Sequence, residues 1–438
     1  MKTVIMAGGR GTRISELFPN IPKPLIPIEH SSGVSKPILE WEIEGLAAQG
    51  FKDIIITVSH MADQIMHYLG NGEKWGVKIS YYLEETPLGN AGALFKLNLD
   101  SDFLLLNADA VFNVDFNRMV EYHYKKKALV TLFTHPNSHP NDSGLIISDE
   151  NGSVTQWLTK EEARPAFYKN RVNAGLHIIS PIVLKKSGIA ESKNGTPKEG
   201  TNKVDLDRQV LKPLSGTGTM FSYDSPEYVK DMGTPERYYS VLNDFKTGIV
   251  ERKKLSNLQK AIFLDRDGTI NKYVGFLRSI DDFELLPNVA KAIKRINQSE
   301  YLCIVVTNQP VIARGELTTS ELNEIHNKME TLLGNEGAYI DALYYCPHHP
   351  HSGFAGEVAE LKYECDCRKP KPGMLIKASK EYNIDLGKSW MVGDSENDIL
   401  TGKNAGCRTV LTGKEQYGQD LTSNDLLEAV LGILDCKT

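Results

Sequence analysis

Two aspartates follow the apolar run Ala261-Ile262-Phe263-Leu264 and open the stretch Asp265-Arg266-Asp267-Gly268-Thr269. A short apolar run that ends in a glycine-bearing turn predicts a buried strand, which puts both carboxylates at its C-terminal end, the edge where open α/β sheets bind ligands. A carboxylate there can attack phosphorus and form an acyl phosphate, splitting one hard displacement into two easier ones. A second carboxylate two residues on can protonate the leaving oxygen and later activate water. Taken alone, Asp-x-Asp-Gly-Thr is also compatible with a plain turn after a strand, the weaker of the two readings; the groups that follow in order point to chemistry. Thr307-Asn308 ends a second apolar run and offers a hydroxyl and an amide to phosphate oxygens. Arg368-Lys369 supplies positive charge, and Asp394 after Gly393 supplies a further carboxylate for an oxygen-ligated Mg²⁺. Asp398 either supports that metal from behind or caps its helix.

Between these groups lie Cys346-Pro347-His348 and Cys365-Asp366-Cys367. Two close ligand pairs joined by a loop suit tetrahedral Zn²⁺, and a full set of four makes the site structural rather than catalytic. His349 and His351 are out of phase with the pairs and read as loop residues, while Cys303 sits in an apolar run and reads as core.

A different chemistry is written near the N-terminus. Gly8-Gly9-Arg10-Gly11-Thr12-Arg13 comes straight after the apolar run Thr3–Ala7. Glycines let backbone N–H groups close around phosphates, and arginines add fork-shaped donors. The run is neither Gly-x-Gly-x-x-Gly nor a loop ending in Gly-Lys-Ser/Thr, which counts against dinucleotide binding and ordinary ATPases. Pro22-Lys23-Pro24 mounts a lysine stiffly, and Gly89 sits in a second glycine-bearing turn, Glu84–Gly92. Asp109 ends the run Phe103–Leu106, and Asp231 comes much later; aspartates from two strand ends can share one Mg²⁺ bridging a sugar phosphate and a nucleotide.

These groups need elements to hold them. Thr3–Ala7, Asp53–Ser59, Lys78–Leu83 and Phe103–Leu106 are predicted strands, with helices at Pro37–Gln49, Ala62–Leu69, Asn90–Leu97 and Phe116–Lys126. That alternation predicts a mostly parallel sheet wrapped by helices, with an antiparallel extension after about residue 134. Residues 244–259 are polar and read as a helical tail and linker. A second α/β series follows: strands at 261–264, 302–306, 339–345 and 390–392, and helices at 288–296, 320–333, 373–382 and 397–405. The expected organisation is a domain over 1–243, a linker over 244–259 and a domain over 260–438. A chain of 438 residues with 41% hydrophobic residues can fill two cores. A net charge of −6 argues against nucleic acid or an anionic membrane as partner. The short apolar N-terminal stretch is not a signal peptide, and cysteine crowding without a disulfide pattern fits a cytoplasmic protein.

The set Asp265-x-Asp267, Thr307-Asn308, Arg368-Lys369 and Gly393-Asp394 resembles the haloacid dehalogenase superfamily of phosphatases over residues 260 to about 415. The resemblance implies Asp265 as nucleophile, Asp267 as acid/base, and Thr307, Asn308 and Lys369 around the phosphate. It also implies Mg²⁺ held by Asp265, the backbone carbonyl of Asp267, and Asp394. With its zinc loop, the run Cys367-Arg368-Lys369-Pro370-Lys371-Pro372-Gly373 looks like the heptose bisphosphate and histidinol phosphate phosphatases, in which Arg368 helps to select substrate. Ile312-Ala313-Arg314-Gly315 matches the heptose type, whereas Pro310-Val311 replaces its usual serine and glycine. The N-terminal motifs, over residues 1 to about 243, resemble the sugar-1-phosphate nucleotidyltransferases. That likeness implies nucleotide contacts from Gly8, Gly9, Arg10, Gly11, Thr12 and Gly89, with Arg13 and Lys23 on the triphosphate. It further implies Mg²⁺ on Asp109 and Asp231, and sugar-phosphate contacts from Lys160, Asn173 and Gly175. Ala108 stands where that family usually has glycine, and Glu29–Ser35 forms a longer insertion than most members carry.

The fold expected is α/β throughout: two Rossmann-like three-layer domains, an N-terminal nucleotidyltransferase fold with a mixed sheet and a C-terminal haloacid dehalogenase-like fold with a zinc loop. The paired families imply a bifunctional enzyme of sugar-nucleotide biosynthesis, removing the 7-phosphate of D-glycero-α-D-manno-heptose 1,7-bisphosphate and activating the 1-phosphate with GTP to GDP-heptose. The competing readings are another sugar-1-phosphate nucleotidyltransferase, such as a mannose-1-phosphate enzyme, joined to a histidinol-phosphatase-like domain, or one domain kept only as a binding module.

Overall fold

In the computed structural model, which describes residues 1–436 apart from Arg10, Thr12, Pro87 and 188–202, alternation along the first strand decides the layering. On Lys2–Met6, Ile5 packs into one core with Ile54, Ile56, Leu104 and Leu106 of neighbouring strands and Leu39, Ile43 and Leu46 of helix Ile38–Ala48. Val4 points the other way, into a second core with Phe103, Leu105, Leu206 and Val210. A sheet buried on both faces must be covered by helices on both, which is the expected three-layer arrangement. Lys2–Met6 lies parallel to both Asp53–Val58 and Phe103–Asn107, with Met6 level with Thr57 and Asn107. Lys78–Leu83 extends the parallel run, while Val172–Ile179 pairs antiparallel with Phe103–Asn107 and makes the sheet mixed. The strand ends that carry Gly8 and Asp109 therefore emerge side by side.

The chain divides into two compact units, one of residues 1–135, 146–157 and 173–254, the other of 136–145, 158–172 and 255–438. In the first, the segment expected as helix Asn90–Leu97 forms only a short 3₁₀ helix, Gly92–Lys96. Gly89 and Gly92 weaken a regular helix, and the backbone pairs across the turn instead, Ala91 N donating to Val204 O at 3.1 Å. The Glu29–Ser35 insertion is a β-hairpin between Pro27–Glu29 and Ser35–Pro37. Its tip rests on the helical tail of the unit, His30 Nε2 lying 3.0 Å from Glu251 Oε1. That tail, Pro235–Thr247 and Ile249–Arg252, breaks at Gly248.

The second unit is built on six parallel strands in the order Ala342–Cys346, Tyr301–Asn308, Lys260–Leu264, Trp390–Gly393, Arg408–Thr412 and Leu421–Ser423. Leu264 is level with Val305 on one side and Val392 on the other. Residues 265, 307–308 and 394 thus reach one edge from three adjacent strands. The strand expected at 339–345 begins only at Ala342, because the Asn297 amide holds the backbone of Tyr339 from both sides, at 2.8 and 3.0 Å. Helix Thr319–Asn335 opens with a capping box, Thr318 and Glu321 each satisfying the other's backbone.

Candidate active sites

At the edge of the second sheet, Asp265 is buried, and the Lys369 ammonium lies 2.6 Å from Asp265 Oδ1 and 2.6 Å from Asp398 Oδ1. Carboxylate oxygens of Asp265, Asp394 and Asp398 all fall within 4.8 Å of one another. Gly268, at φ +92°, is the turn that makes room: a Cβ there would stand 1.9 Å from Asp394 Oδ2. Burial first, and then the charge of Asp398, push the Asp265 carboxyl up to about 8 against the pull of Lys369. Burial and Asp398 likewise raise Asp394 to about 6. Burial alone would lower Lys369, but Asp265 and Asp398 outweigh it and keep the ammonium charged. Three hard oxygen donors crowded in this way, with one ammonium between two of them, fit a divalent cation.

Asp398 caps its helix and also reaches Lys369. Its Oδ2 accepts from Ser395 N at 3.1 Å as a capping box, while Oδ1 anchors Lys369. Asn308 sets the same lysine from its backbone: Lys369 N donates to Asn308 Oδ1 at 3.0 Å, and Asn308 Nδ2 donates to Lys369 O at 3.1 Å. The Asp267 carboxylate faces a ring of donors. Arg266 reaches its two oxygens at 2.9 and 2.8 Å, Asn271 Nδ2 donates at 3.0 Å and Gln309 Nε2 at 2.9 Å. Gln309 Nε2 also lies 2.9 Å from Thr307 Oγ1, tying the Asp267 side of the site to the threonine. Arg266, Asn271 and Gln309 were not singled out from the sequence; only Arg266, lodged between the two aspartates, carried a local signal.

The four zinc-ligand candidates converge. Cys346 Sγ lies 3.4 Å from Cys365 Sγ, Cys367 Sγ 3.2 Å from Cys365 Sγ, and His348 Nδ1 3.6 and 3.3 Å from Cys346 and Cys367. All the cysteines are free thiols. Tetrahedral zinc at ~2.3 Å from sulfur and ~2.0 Å from nitrogen spaces its ligand atoms ~3.6 Å apart, so the cluster has the right size. The hydrogen bond between Cys346 and Cys367 pulls Cys367 down and pushes Cys346 up, so without a cation only one of the two sulfurs ionises readily. The other ring nitrogen of His348 lies 2.7 Å from the Tyr363 hydroxyl, which orients the ring. Arg368 is half-buried beside the loop and donates to His348 O at 3.2 Å.

In the first unit, Ala110–Asn113 pairs antiparallel with Tyr228–Asp231, Asp231 facing Ala110, so Asp231 arrives next to Asp109. The Lys23 ammonium stands 3.5 Å from Asp109 Oδ2 and 3.6 Å from Asp231 Oδ1. Its side chain is only 8% exposed, on the 3₁₀ helix Lys23–Leu25 that the flanking prolines set. Arg237 pairs with Asp231, and Gly233 N donates to Asp231 Oδ1 at 2.6 Å. Arg13 reaches the same corner: a Cβ on Gly233 would meet Arg13 Nη2 at 3.2 Å. Gly8, Gly9 and Gly11 lie in the loop after the first strand, and a Cβ on Gly9 would meet nothing within 4 Å among the described residues. Arg10 and Thr12 of that loop lie outside the described residues. Gly89 bridges to Val204 in the second glycine-bearing turn. Gly175 N donates to Asn173 Oδ1 at 3.2 Å, and Gly175 packs so close to Asn107 that a Cβ would lie 2.6 Å from Nδ2. Lys160 sits exposed in the turn after strand Val154–Leu158, in a stretch that belongs to the second compact unit. Glu42 was not singled out from the sequence. It is buried, neither carboxylate oxygen has a hydrogen-bond partner, and burial and then Asp109 raise it well above the usual carboxylate range against Lys23.

Among the described residues no helix is long and apolar enough to cross a membrane. Comparison with known proteins also separates two parts of the chain, the first of which includes residues 136–145 and 158–172 of the second compact unit. The profile of the nucleotidyl transferase family matches residues 2–247, and that of haloacid dehalogenase-like hydrolases matches residues 366–429. The D-glycero-beta-D-manno-heptose-1,7-bisphosphate 7-phosphatase of Haemophilus ducreyi is 40% identical over 181 residues, 39% of this chain and 97% of the relative. The enzyme of the same name from Escherichia coli K12 is 41% identical over 157 residues, 35% of this chain and 80% of its own. Among solved structures, the D,D-heptose 1,7-bisphosphate phosphatase from B. bronchiseptica complexed with magnesium and phosphate is 34% identical at TM-score 0.35, covering 40% of this chain and 98% of its own. HddC from Yersinia pseudotuberculosis is 25% identical at TM-score 0.45, covering 56% and 99%. With a nucleotidyl transferase profile over more than half its length and phosphatase relatives matched almost end to end, the chain belongs to the nucleotidyl transferase family and carries, C-terminal to it, a phosphatase of the haloacid dehalogenase-like type.

Proposed function

We propose that this chain is a bifunctional enzyme of GDP-heptose formation, with a nucleotidyltransferase domain over 1–243, a linker over 244–259 and a phosphatase domain over 260–438. The observation that carries the reading is the Asp265–Lys369–Asp398 cluster beside a Cys/His loop, in a chain whose other half gathers Lys23, Asp109 and Asp231. The names of the phosphatase relatives support heptose 1,7-bisphosphate as substrate, but they specify its β anomer, not the α anomer proposed here.

In the phosphatase, the Asp265 carboxylate attacks the phosphorus of the 7-phosphate, the bond from phosphorus to the sugar oxygen breaks, and Asp267 gives that oxygen a proton. Water then attacks the aspartyl-phosphate, Asp267 takes its proton, and the bond to Asp265 breaks to release phosphate. Thr307 and Lys369 hold the transferring group, Asn308 fixes the lysine's backbone and Arg368 selects the sugar. Mg²⁺ on Asp265, the Asp267 carbonyl and Asp394 would supply charge neutralisation, and Zn²⁺ on Cys346, His348, Cys365 and Cys367 would brace the loop.

In the transferase, an oxygen of the heptose 1-phosphate attacks the α-phosphorus of GTP and pyrophosphate leaves. Lys23 and Arg13 neutralise the triphosphate, the glycine loop with Arg10, Thr12 and Gly89 cradles it, and Asn173, Gly175 and Lys160 contact the sugar phosphate. Asp109 and Asp231 would hold the Mg²⁺ of this site. Neither reaction calls for a membrane or nucleic acid, and the proposed setting is the cytoplasm.

The test is to incubate the full chain and Mg²⁺ with the α and β anomers of the bisphosphate and each nucleoside triphosphate in turn, following phosphate and pyrophosphate. The expected result is phosphate from the α anomer, then pyrophosphate with GTP. Faster turnover of the β anomer would overturn the anomer, and hydrolysis of histidinol phosphate with the bisphosphates left intact would overturn the substrate.

A further inference from the structure

Asp267 is held from one side by a residue that is itself held. Arg266 is completely buried, and its guanidinium grips both oxygens of Asp267 with Nη2 while Nη1 lies 3.1 Å from Nε2 of His326. The pairing has one consistent polarity. Arginine can only donate, so His326 Nε2 accepts and the ring proton sits on Nδ1. Burial first, and then the neighbouring guanidinium, keep His326 well below its usual range, and hence neutral.

His326 lies on helix Thr319–Asn335 in a buried stripe with Leu322, Ile325 and Met329. Glu330, one turn further on, pins that helix inside the same unit. Its Oε2 accepts from Asn170 N at 3.0 Å and from Arg171 Nη1 at 3.0 Å. A rigid helix fixed at Glu330 therefore delivers the imidazole to Arg266 at a set distance.

We propose that His326 is a positioning residue of the phosphatase: by accepting from Arg266 it fixes the guanidinium that aims the Asp267 carboxylate at the leaving oxygen. A guanidinium released from His326 can swing about its own stem and take Asp267 with it. The proposal rests on the phosphatase reading of Asp265 and Asp267.

The consequence depends on the leaving group. A sugar alkoxide needs the proton that Asp267 gives, whereas a nitrophenolate leaves without one. The test measures kcat and KM of the full chain with Mg²⁺ on heptose 1,7-bisphosphate, and the first-turnover rate of nitrophenolate release from p-nitrophenyl phosphate, which precedes the water attack that also uses Asp267, for His326→Leu, His326→Gln and Asp265→Asn. His326→Leu is expected to lower kcat on the bisphosphate by about tenfold or more, with KM within about twofold and the p-nitrophenyl phosphate rate within about threefold. His326→Gln, whose amide oxygen can accept from Arg266, is expected to recover most of the loss. Equal losses on both substrates, or none on either, overturn the proposal. Should His326→Leu not fold, Arg266→Lys makes the same test, because one ammonium cannot bridge His326 and both Asp267 oxygens; its loss must again be confined to the bisphosphate. If Asp265→Asn still releases phosphate from both substrates, it is the phosphatase reading that falls, separately from the role of His326.

Discussion

Asp265 and Asp398 compete for the one ammonium of Lys369, and burial leaves Asp265 with a carboxyl pushed up to about 8 from an ordinary 3.8. A group whose folded value is raised favours the folded state below its unfolded value, and that contribution is lost as pH rises through the folded value. Ionised Asp265 is therefore a cost to the metal-free protein at alkaline pH, and a cation that binds the ionised carboxylates only in the folded state relieves it. Mg²⁺ is expected to raise Tm more at about pH 9 than at about pH 6, read by thermal shift against EDTA; an equal shift at both would count against Asp265 as a ligand. Asp265→Asn is expected to cut phosphate release from the bisphosphate by about a thousandfold or more, while pyrophosphate release from GTP and directly supplied heptose 1-phosphate stays within about twofold. A comparable loss of both products would mean the two chemistries share a residue. Asp265 and Asp267 were legible as chemistry because strand and turn are contiguous around them. Gln309 and Asn271 were not, since their partner is Asp267 across a fold that sequence spacing does not measure.

At the scale of elements, two devices hold the phosphatase site in place. The Cys/His loop brings Cys346 at the end of a strand against Cys365 and Cys367, which also positions Arg368 and Lys369 immediately after them. Cys365→Ser is expected to lower the zinc content below one per chain by elemental analysis and to depress phosphatase activity, with guanylyl transfer retained; full zinc in the variant would remove Cys365 from the ligand set. The second device is the buried pair of Arg171 and Glu330, each 5% exposed. Arg171→Met leaves Glu330 charged and short of its counter-ion, and is expected to cost about 3 kcal/mol in denaturant unfolding. A loss below about 1 kcal/mol would show that the pair is not desolvated as its burial indicates. The periodicity of helix Thr319–Asn335 was legible from Leu322, Ile325, Met329 and Leu333. That His326 and Glu330 share the buried stripe was legible only as an anomaly, polar residues at apolar phase.

For the whole molecule, each unit gathers its candidate site residues at the C-terminal edge of parallel strands: Gly8, Gly9 and Asp109 in one, Asp265, Thr307 and Asp394 in the other. Two edges on two sheets imply two independent reactions in one chain. Lys23→Met removes the buried ammonium between Asp109 and Asp231, and is expected to lower pyrophosphate release by about a hundredfold or more with phosphate release unchanged. A parallel drop in phosphatase rate would contradict independence.

By itself, the sequence determined the identity of the chemistry. Strand ends, glycine turns and short-range pairs such as Asp265/Asp267, Cys346/His348 and Cys365/Cys367 are local, so their geometry follows from a few consecutive dihedral angles. It also determined that there are two α/β series, because strand and helix periods are local signals. Asp231 and Asp398 were named from the sequence, but only the tertiary structure decided how they meet their neighbours, Asp231 beside Asp109 through an antiparallel pairing and Asp398 beside Lys369, and that His326 stands behind Arg266. It also decided that residues 136–145 and 158–172 belong with the second unit and that the 89–97 segment is not a regular helix. Those outcomes depend on which surfaces a folded chain brings together and desolvates, and neither can be read from spacing along the chain.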